Sequence, residues 1–348
     1  MRAAAFLILA LLSIFSSGCA NLGYLSKLGW HQSSILFHRI SVDECLEDET
    51  VDADTKAKIR LIGDVKRYGE ETLGLRRTKN YEKICQLKDP VLYVITASEK
   101  DRLQLLAWDF PIIGWVSYKS FFTQKDALDE KRTFEEKGFD TFVQRAAAYS
   151  TLGWLKDPIF FPMLEFDEVT LANLILHEMA HATLYFKGKA DFNERLATFI
   201  GNRGTIDFFA EKSGPGSKRV LEAIHTQEDD LLFSKWIDGA CRRLSRYYEK
   251  EISKEEKLKG REEIFQSIRE EFRQLKARFK TDGYADFEKR DLNNAVLLAY
   301  RRYFHDLEKF EAFYQKTGSD LRKVIEFFLK VQASEDRAGL NSFLEGFL

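Results

Sequence analysis

Apolar residues recur at two different spacings along the chain, and the spacing changes with position. From residue 24 to about 78 they return every three or four positions, as at Ile59 and Ile62, which predicts two or three helices. Residues 90 to about 155 instead contain short runs rich in β-branched and aromatic residues, which predict strands. Beyond Asp167 helical spacing returns and continues almost to the end of the chain. The pattern predicts a mostly helical α+β fold.

Three runs in the middle of the chain predict one small mixed β-sheet. They are VLYVITAS, which ends at Ser98, then GWVSYKSFF over 114–122 and DTFVQRAAAYS over 140–150. Between the last two runs, Gln124 to Lys137 has helical spacing and is followed by Gly138, a residue typical of helix ends. We expect this helix to cover the sheet.

Most of the C-terminal half is predicted to be helical. The predicted segments are Val169 to Phe186, Asn193 to about Ala210, a charged helical hairpin over 218–279 that bends near Lys259-Gly260, and a last helical region over about 285–346.

The N-terminus has the layout of a secretory signal. Arg2 is followed by an apolar run to Phe15, then by small residues and Cys19. The segment around Cys19 resembles a bacterial lipobox, in which the cysteine becomes the lipidated first residue of the mature chain. That resemblance implies a signal peptide over 1–18 and a lipid anchor in a membrane, the outer membrane facing the periplasm being favoured. The alternatives are an ordinary secretory signal and an uncleaved anchor.

Composition restricts the function classes further. The formal net charge is −2, so the chain has no basic surplus to neutralise phosphates, and we expect no nucleic-acid partner. Cys45, Cys85 and Cys241 remain after lipidation, an odd number for an oxidising compartment. A bridge between Cys45 and Cys85 is possible, with Cys241 left buried and free.

The residues that indicate chemistry are HEMAH at 177–181. On an α-helix, positions four apart lie within about 40° of each other, so His177 and His181 can direct their rings at one zinc ion. Glu178 would lie beside the metal without binding it, in position to accept a proton from water. The flanking residues, Leu174 to Leu176 and Ala182 to Leu184, carry no charge, as expected for a helix that lies under a cleft.

A catalytic zinc usually has three protein ligands and one open position. Glu194 follows a turn and begins a new apolar-patterned helix, so it can face back toward the first helix. The run Asn-Glu-x-x-Ala at 193–197 resembles the second helix of the thermolysin-like zincins, in which the glutamate binds zinc. Asp191 is the competing ligand, although a place in the loop or at the helix cap suits it better.

The resemblance extends along nearly the whole mature chain. The segments around Leu22-Gly23-Tyr24, Phe110 to Tyr118, Ala148 to Pro158, HEMAH, FNERLA at 192–197 and Leu292 to Ala295 are similar, in the same order, to a family of proteobacterial proteins known as predicted aminopeptidases. The segment AYSTLGW followed by Asp-Pro is the most specific of them.

This resemblance implies a zincin-like metallopeptidase that uses Zn²⁺ and acts on peptides, with His177, His181, Glu194 and Glu178 in the roles given above. The aminopeptidase assignment depends on the resemblance alone, because the Gly-x-Met-Glu-Asn run of many such enzymes is absent. An endopeptidase or amidase of the cell envelope remains the alternative. A non-catalytic envelope lipoprotein with a structural zinc site is a second one, although such a site needs no base at Glu178.

The reaction also needs a group that stabilises the oxyanion. Tyr149, Tyr303 and His305 are the candidates, although packing in a core is the commoner role of large aromatic residues. The sequence thus divides into a signal peptide (1–18), an N-terminal helical segment (19–90), a zincin-like catalytic core (91–212) and a helical C-terminal region that completes the cleft (213–348).

Overall fold

The structure is a computed structural model. It describes residue 24 and residues 27–31, 33–86, 92–110, 114–146 and 156–334. The predicted signal peptide, Cys19 and Tyr149 lie outside the described residues. No helix in the described part of the chain is both long and apolar enough to cross a membrane.

Helices dominate the described residues, in agreement with the predicted α+β class. They are residues 27–31 and 33–37 (α1), Val42–Glu47 (α2), Ala53–Glu71 (α3), Gln124–Glu136 (α4), Glu168–Thr183 (α5), Ala190–Ser213 (α6), Lys218–Tyr248 (α7), Lys254–Lys276 (α8), Asn294–Phe304 (α9), Leu307–Lys316 (α10) and Leu321–Ala333 (α11).

The strands are short and form three small sheets. They are Arg39–Ser41 (β1), Lys83–Cys85 (β2), Leu92–Ser98 (β3), Trp108–Phe110 (β4), Gly114–Val116 (β5), Lys119–Phe121 (β6), Asp140–Ala146 (β7) and Ile159–Phe160 (β8). The sheet orders are β1-β2-β8, β6-β3-β7 and β4-β5.

The prediction of one mixed sheet between residues 90 and 155 is wrong in its pairing. β3 lies between β6 and β7 and pairs antiparallel with both. Because both strands are antiparallel to β3, β6 and β7 run in the same direction, but β3 separates them and they do not pair. The mixed sheet is the other three-stranded one, where β2 pairs antiparallel with β1 and parallel with β8.

The charged hairpin breaks earlier than predicted. α7 ends at Tyr248, and α8 begins after Ser253, whose side chain accepts from the backbone of Glu256 while the Glu256 carboxylate accepts from the backbone of Ser253. This reciprocal cap stabilises a helix start at that point. Gly260 lies inside α8, where a Cβ would come within 2.0 Å of the Tyr247 hydroxyl. The glycine therefore permits close packing and does not bend the helix.

The bridge between Cys45 and Cys85, which the sequence left open, is not formed in the structure. Cys45 is a buried free thiol, and it packs in the same apolar core as Ile62, Val65 and Ile84. Cys241 is buried and free, as expected.

Helices α5 and α6 form the centre of the larger core. They are antiparallel neighbours joined by a short connection, and small residues let them approach closely. A Cβ on Gly201 would lie 2.9 Å from the Asn173 side chain, and one on Gly204 would lie 2.9 Å from Leu176. Helix α3 packs on α5, and α7, α9 and α10 pack on α6. The predicted metal ligands are thus carried by two closely packed helices.

One buried ion pair connects α8 to the sheet. Arg261 donates to both carboxylate oxygens of Asp140, at 2.8 and 3.1 Å, and Asp140 also accepts from the backbone of Asn294. Because Arg261→Ala leaves a buried carboxylate without its cation, we expect it to lower the free energy of unfolding by about 3–5 kcal/mol in urea denaturation. The matched control is Arg273→Ala on the same helix, which breaks an exposed pair with Glu270 and should cost under about 1 kcal/mol. Equal losses in the two variants would contradict this prediction.

Candidate metal centre

The histidines lie on α5, which begins at Glu168 and is capped by Asp167, whose side chain accepts from the backbone of Thr170. The helix is buried along most of its length, and its interior residues are almost all uncharged. It ends at Thr183, earlier than the predicted end at Phe186, because the backbone becomes extended at Leu184. His177 and His181 lie one turn apart on the face toward α6, with side-chain exposures of 14% and 11%.

Glu194 lies in the first turns of α6 and faces both rings. Its Oε2 atom is 3.4 Å from Nε2 of His177 and 3.2 Å from Nε2 of His181, and the two Nε2 atoms are 3.1 Å apart. A tetrahedral zinc with ligand bonds of 2.0–2.2 Å holds its ligand atoms about 3.4 Å from one another. The three side chains therefore fit a zinc ion in both donor type and spacing.

Asn193 fixes the connection that presents Glu194. Its side-chain oxygen accepts from the backbone N–H of Phe186, and its side-chain nitrogen donates to the carbonyl of the same residue, at 2.9 and 3.0 Å. The buried amide thus ties the start of α6 to the chain that leaves α5. This contact explains how the short connection between His181 and Glu194 can bring the Glu194 carboxylate back to the two histidine rings.

The charges of the three side chains support one another. Burial would raise the pKa of Glu194, but attraction to His181 and hydrogen bonds from both imidazoles outweigh it and hold that pKa below its usual range. Burial lowers the pKa of His181, but the Glu194 carboxylate raises it by a larger amount, so the net change is upward. The carboxylate is therefore held in the ionised form that a metal ligand requires.

Glu178 lies beside this group and does not belong to it. The side chain is buried, and Oε2 has no hydrogen-bond partner among the described residues. Burial raises the pKa of the Glu178 carboxyl, with a smaller opposing effect of the two histidines. A buried carboxylate oxygen without a partner, in the wall of a cavity, is suited to accept a proton from a ligand in that cavity.

A cavity of about 700 Å³ opens over these three side chains. Tyr303 lines it, with its ring centroid 6.4 Å from that of His177. Burial raises the pKa of the Tyr303 hydroxyl well above its usual value, so the hydroxyl stays protonated and can donate. His305 is not brought to the cavity; its two ring nitrogens lie 2.5 Å from a carboxylate oxygen of Asp238 and 3.0 Å from one of Asp306.

Tyr118 and Arg302 are among the cavity residues that were not expected from the sequence. Tyr118 lines the cavity, and burial raises the pKa of its hydroxyl. Arg302, fully buried, lies with its guanidinium 5.0 Å from the Tyr118 ring centroid and donates to the backbone carbonyl of Ser117. Tyr118 ends one of the family-like segments, which was the one sequence signal for it. Arg302 carried no signal beyond its position next to Tyr303.

Asp191 takes no part in the ligand group. It is exposed in the first turn of α6 and forms an ion pair with Arg302. The expected place of Asp191 in the loop or at the cap is wrong, because the cap residue is Lys189 and Asp191 lies inside the helix.

A second group of possible ligands, formed by Asp238, His305 and Asp306, differs in its surroundings. Arg301 pairs with Asp238, and both Lys309 and Arg195 pair with Asp306. These cations already neutralise the carboxylates, so this group is an ion-pair network.

The far end of the cavity contains a buried carboxylate, that of Asp230 on α7. Burial raises its pKa to about 6, while hydrogen bonds from Tyr284 and Asn202 oppose the rise. The folded protein thus holds this proton more tightly than the unfolded chain, whose pKa is about 3.9. The stability that this proton contributes is present below pH 4 and is lost as the pH rises through 6.

We therefore expect Asp230→Asn to remove part of the pH dependence of folding. Between pH 4 and pH 7.5 the wild type should lose about 2.4 kcal/mol more of its free energy of unfolding than the variant does. Urea denaturation of both proteins at the two pH values measures this difference, in which the contributions of other groups cancel. The same pH dependence in both proteins would contradict the assignment.

A family model described as "Putative aminopeptidase" matches residues 23–339. The chain belongs to this family. Both the HEMAH helix and Glu194 lie within the matched residues, and the family description indicates a peptidase. No curated protein and no solved structure matches the chain.

Proposed function

We propose that this member of the family is a zinc-dependent peptidase, and specifically an aminopeptidase. The observation that carries the proposal is the triangle of ligand atoms from His177, His181 and Glu194, with edges of 3.1 to 3.4 Å. The group lies under a cavity, so a substrate has access to it. The family description supports peptides as the substrate class.

Zinc, when bound, would polarise the scissile carbonyl and lower the pKa of a coordinated water. Glu178 then accepts the proton of the attacking water and passes it to the leaving amine. The position of Glu178 supports this role. It follows the first histidine in the chain, and its buried Oε2 has no hydrogen-bond partner among the residues described.

Tyr303 is proposed to stabilise the oxyanion. Its raised pKa keeps the hydroxyl protonated, and a hydroxyl in a buried site can donate to the negative oxygen as charge develops. Tyr118 is the second donor in the same wall, and the nearby Arg302 cation adds a favourable field. Tyr149, the other tyrosine predicted from the sequence, stays a prediction.

We further propose that the chain is anchored to the cell envelope through a lipid on Cys19, facing the periplasm from the outer membrane. The lipobox-like sequence supports this location. So do Trp30 and Phe37, which follow Cys19 in the chain and are 76% and 86% exposed, since exposed Trp and Phe side chains are typical of segments that lie on a membrane surface.

Two alternatives predict different products. An endopeptidase or amidase would use the same ligands and base. A lipoprotein with a structural zinc site would need only the three ligands. The buried Oε2 of Glu178, which has no hydrogen-bond partner among the described residues, argues against that alternative.

The purified full-length protein, loaded with zinc, tests the proposal on a defined peptide mixture followed by mass spectrometry. We expect products that shorten one residue at a time from the amino end. Internal cuts would establish the endopeptidase. A protein that binds one zinc per chain but cleaves nothing would favour the structural role.

A further inference from the structure

The cavity over the metal ligands continues well beyond them. Along α6, Thr198 and Asn202 follow Glu194 at intervals of one turn, and all three line the cavity. Asn202 is eight residues beyond Glu194, so it lies about 12 Å further along the helix axis. Asp230 on α7 closes this end of the cavity.

Asp230 is a buried anion with hydrogen bonds but no cation. It is 9% exposed, and its carboxylate accepts from the Tyr284 hydroxyl at 2.6 Å and from Asn202 at 2.8 Å. Within the described ranges, no lysine, arginine or histidine forms an ion pair with it. Each oxygen thus retains a lone pair, and the charge is not neutralised, which is costly unless a ligand supplies the missing cation.

The walls between the two ends of the cavity are of mixed polarity. Val169, Leu174 and Ala223 contribute apolar surface, whereas Thr198 and Thr226 contribute hydroxyl groups. Lysine and arginine side chains have an aliphatic stem that ends in a cation. Such a side chain matches a cavity with partly apolar walls and a carboxylate at its end.

The distance from the metal ligands to Asp230 distinguishes two cations that a peptide could supply, a basic side chain and the free amino terminus. The α-amino group of the residue being released is only about 2.5 Å from the scissile carbonyl carbon, so it stays near the metal. An extended lysine or arginine side chain carries its charge about 6 Å or more from its Cα, which brings the charge toward the far end.

We propose that Asp230 forms the end of a subsite that takes a lysine or arginine side chain next to the scissile bond of the peptide. This inference rests on the proposed peptidase function and adds the substrate class. Asn202 acts through Asp230 as a positioning residue, because it holds one carboxylate oxygen in place.

Binding and turnover are measured separately in the test. Peptides that carry either lysine or the uncharged isostere norleucine beside the expected scissile bond are titrated into full-length Glu178→Gln protein by calorimetry. The ratio of kcat/KM for the same pair is measured in the protein that retains Glu178. We expect lysine to bind about 10- to 100-fold more tightly than norleucine, and the same preference in turnover.

Asp230→Asn, in both backgrounds, should reduce the lysine preference to near unity, and Asp230→Glu should keep part of it. The matched control is Asp229→Asn, one residue away, where the carboxylate binds the backbone of Lys280 and Thr281 and does not line the cavity; its preference should be unchanged. If Asp230→Asn does not fold, the comparison of the lysine and norleucine peptides on the protein that retains Asp230 still tests the proposal.

Equal binding of lysine and norleucine peptides would overturn the proposal, as would an unchanged preference in Asp230→Asn. A preference that follows a free amino terminus several residues from the bond, and disappears on N-acetylation, would also overturn it. Because binding is measured without turnover, the two proposals can fail separately. Absence of cleavage would reject the peptidase function, while the binding data would still test the subsite.

Discussion

Glu178→Gln is expected to lower kcat for peptide hydrolysis by about 100- to 10,000-fold while the protein keeps its zinc. The amide has nearly the same shape as the carboxylate but cannot accept the proton of the attacking water. The three ligands are untouched, because Glu178 is not among the atoms that converge on the metal position. Steady-state kinetics together with zinc analysis of the same preparation measures both effects.

The control for this substitution is Glu165→Gln, the same chemical change at an exposed position just before α5. It should leave kcat within about twofold of the wild-type value, as expected for a surface position without special contacts. A Glu178→Gln protein that retains both zinc and full activity would show that another group is the base. Loss of zinc along with activity would instead make Glu178 a ligand.

Glu194→Ala is expected to abolish tight zinc binding and, with it, activity. Loss of an outer-shell partner of a ligand typically lowers metal affinity 10- to 100-fold, so loss of the ligand itself should exceed about 100-fold. The two imidazoles that remain cannot neutralise the dication as the buried carboxylate does. Competition with a zinc-binding dye measures the affinity.

Asp191→Ala separates the two acidic candidates for the third ligand. Asp191 is exposed and paired with Arg302, so its removal should leave zinc affinity unchanged and affect at most the placement of Arg302. The reverse outcome, with zinc lost in Asp191→Ala and kept in Glu194→Ala, would reject the ligand set.

Part of this site was accessible from the sequence because its geometry is local. Two histidines four positions apart on a helix must share a face, whatever the rest of the fold does. Glu194 was predictable for a similar reason, because it begins the next helix after a short connection. The cover helix α4 and its end at Gly138 also follow from residues close in sequence.

Contacts between distant segments were not accessible in this way. Asp230 meets Asn202 across two helices and Tyr284 across the α7–α8 hairpin, and no spacing in the sequence predicts that meeting. The strand order β6-β3-β7 depends on which strands pair with each other, and the sequence of a single strand does not specify its partner. The bend expected at Gly260 was wrong because a glycine in a helix can serve a close contact as well as a break.

The central claim is that two imidazoles and one carboxylate converge on a single zinc ion. Anomalous difference density, collected on both sides of the zinc absorption edge from a crystal of the zinc-loaded protein, tests it most directly. The account predicts one strong peak within about 2.0–2.2 Å of Nε2 of His177, Nε2 of His181 and Oε2 of Glu194. A peak elsewhere, or none between these three atoms at full zinc loading, would contradict it.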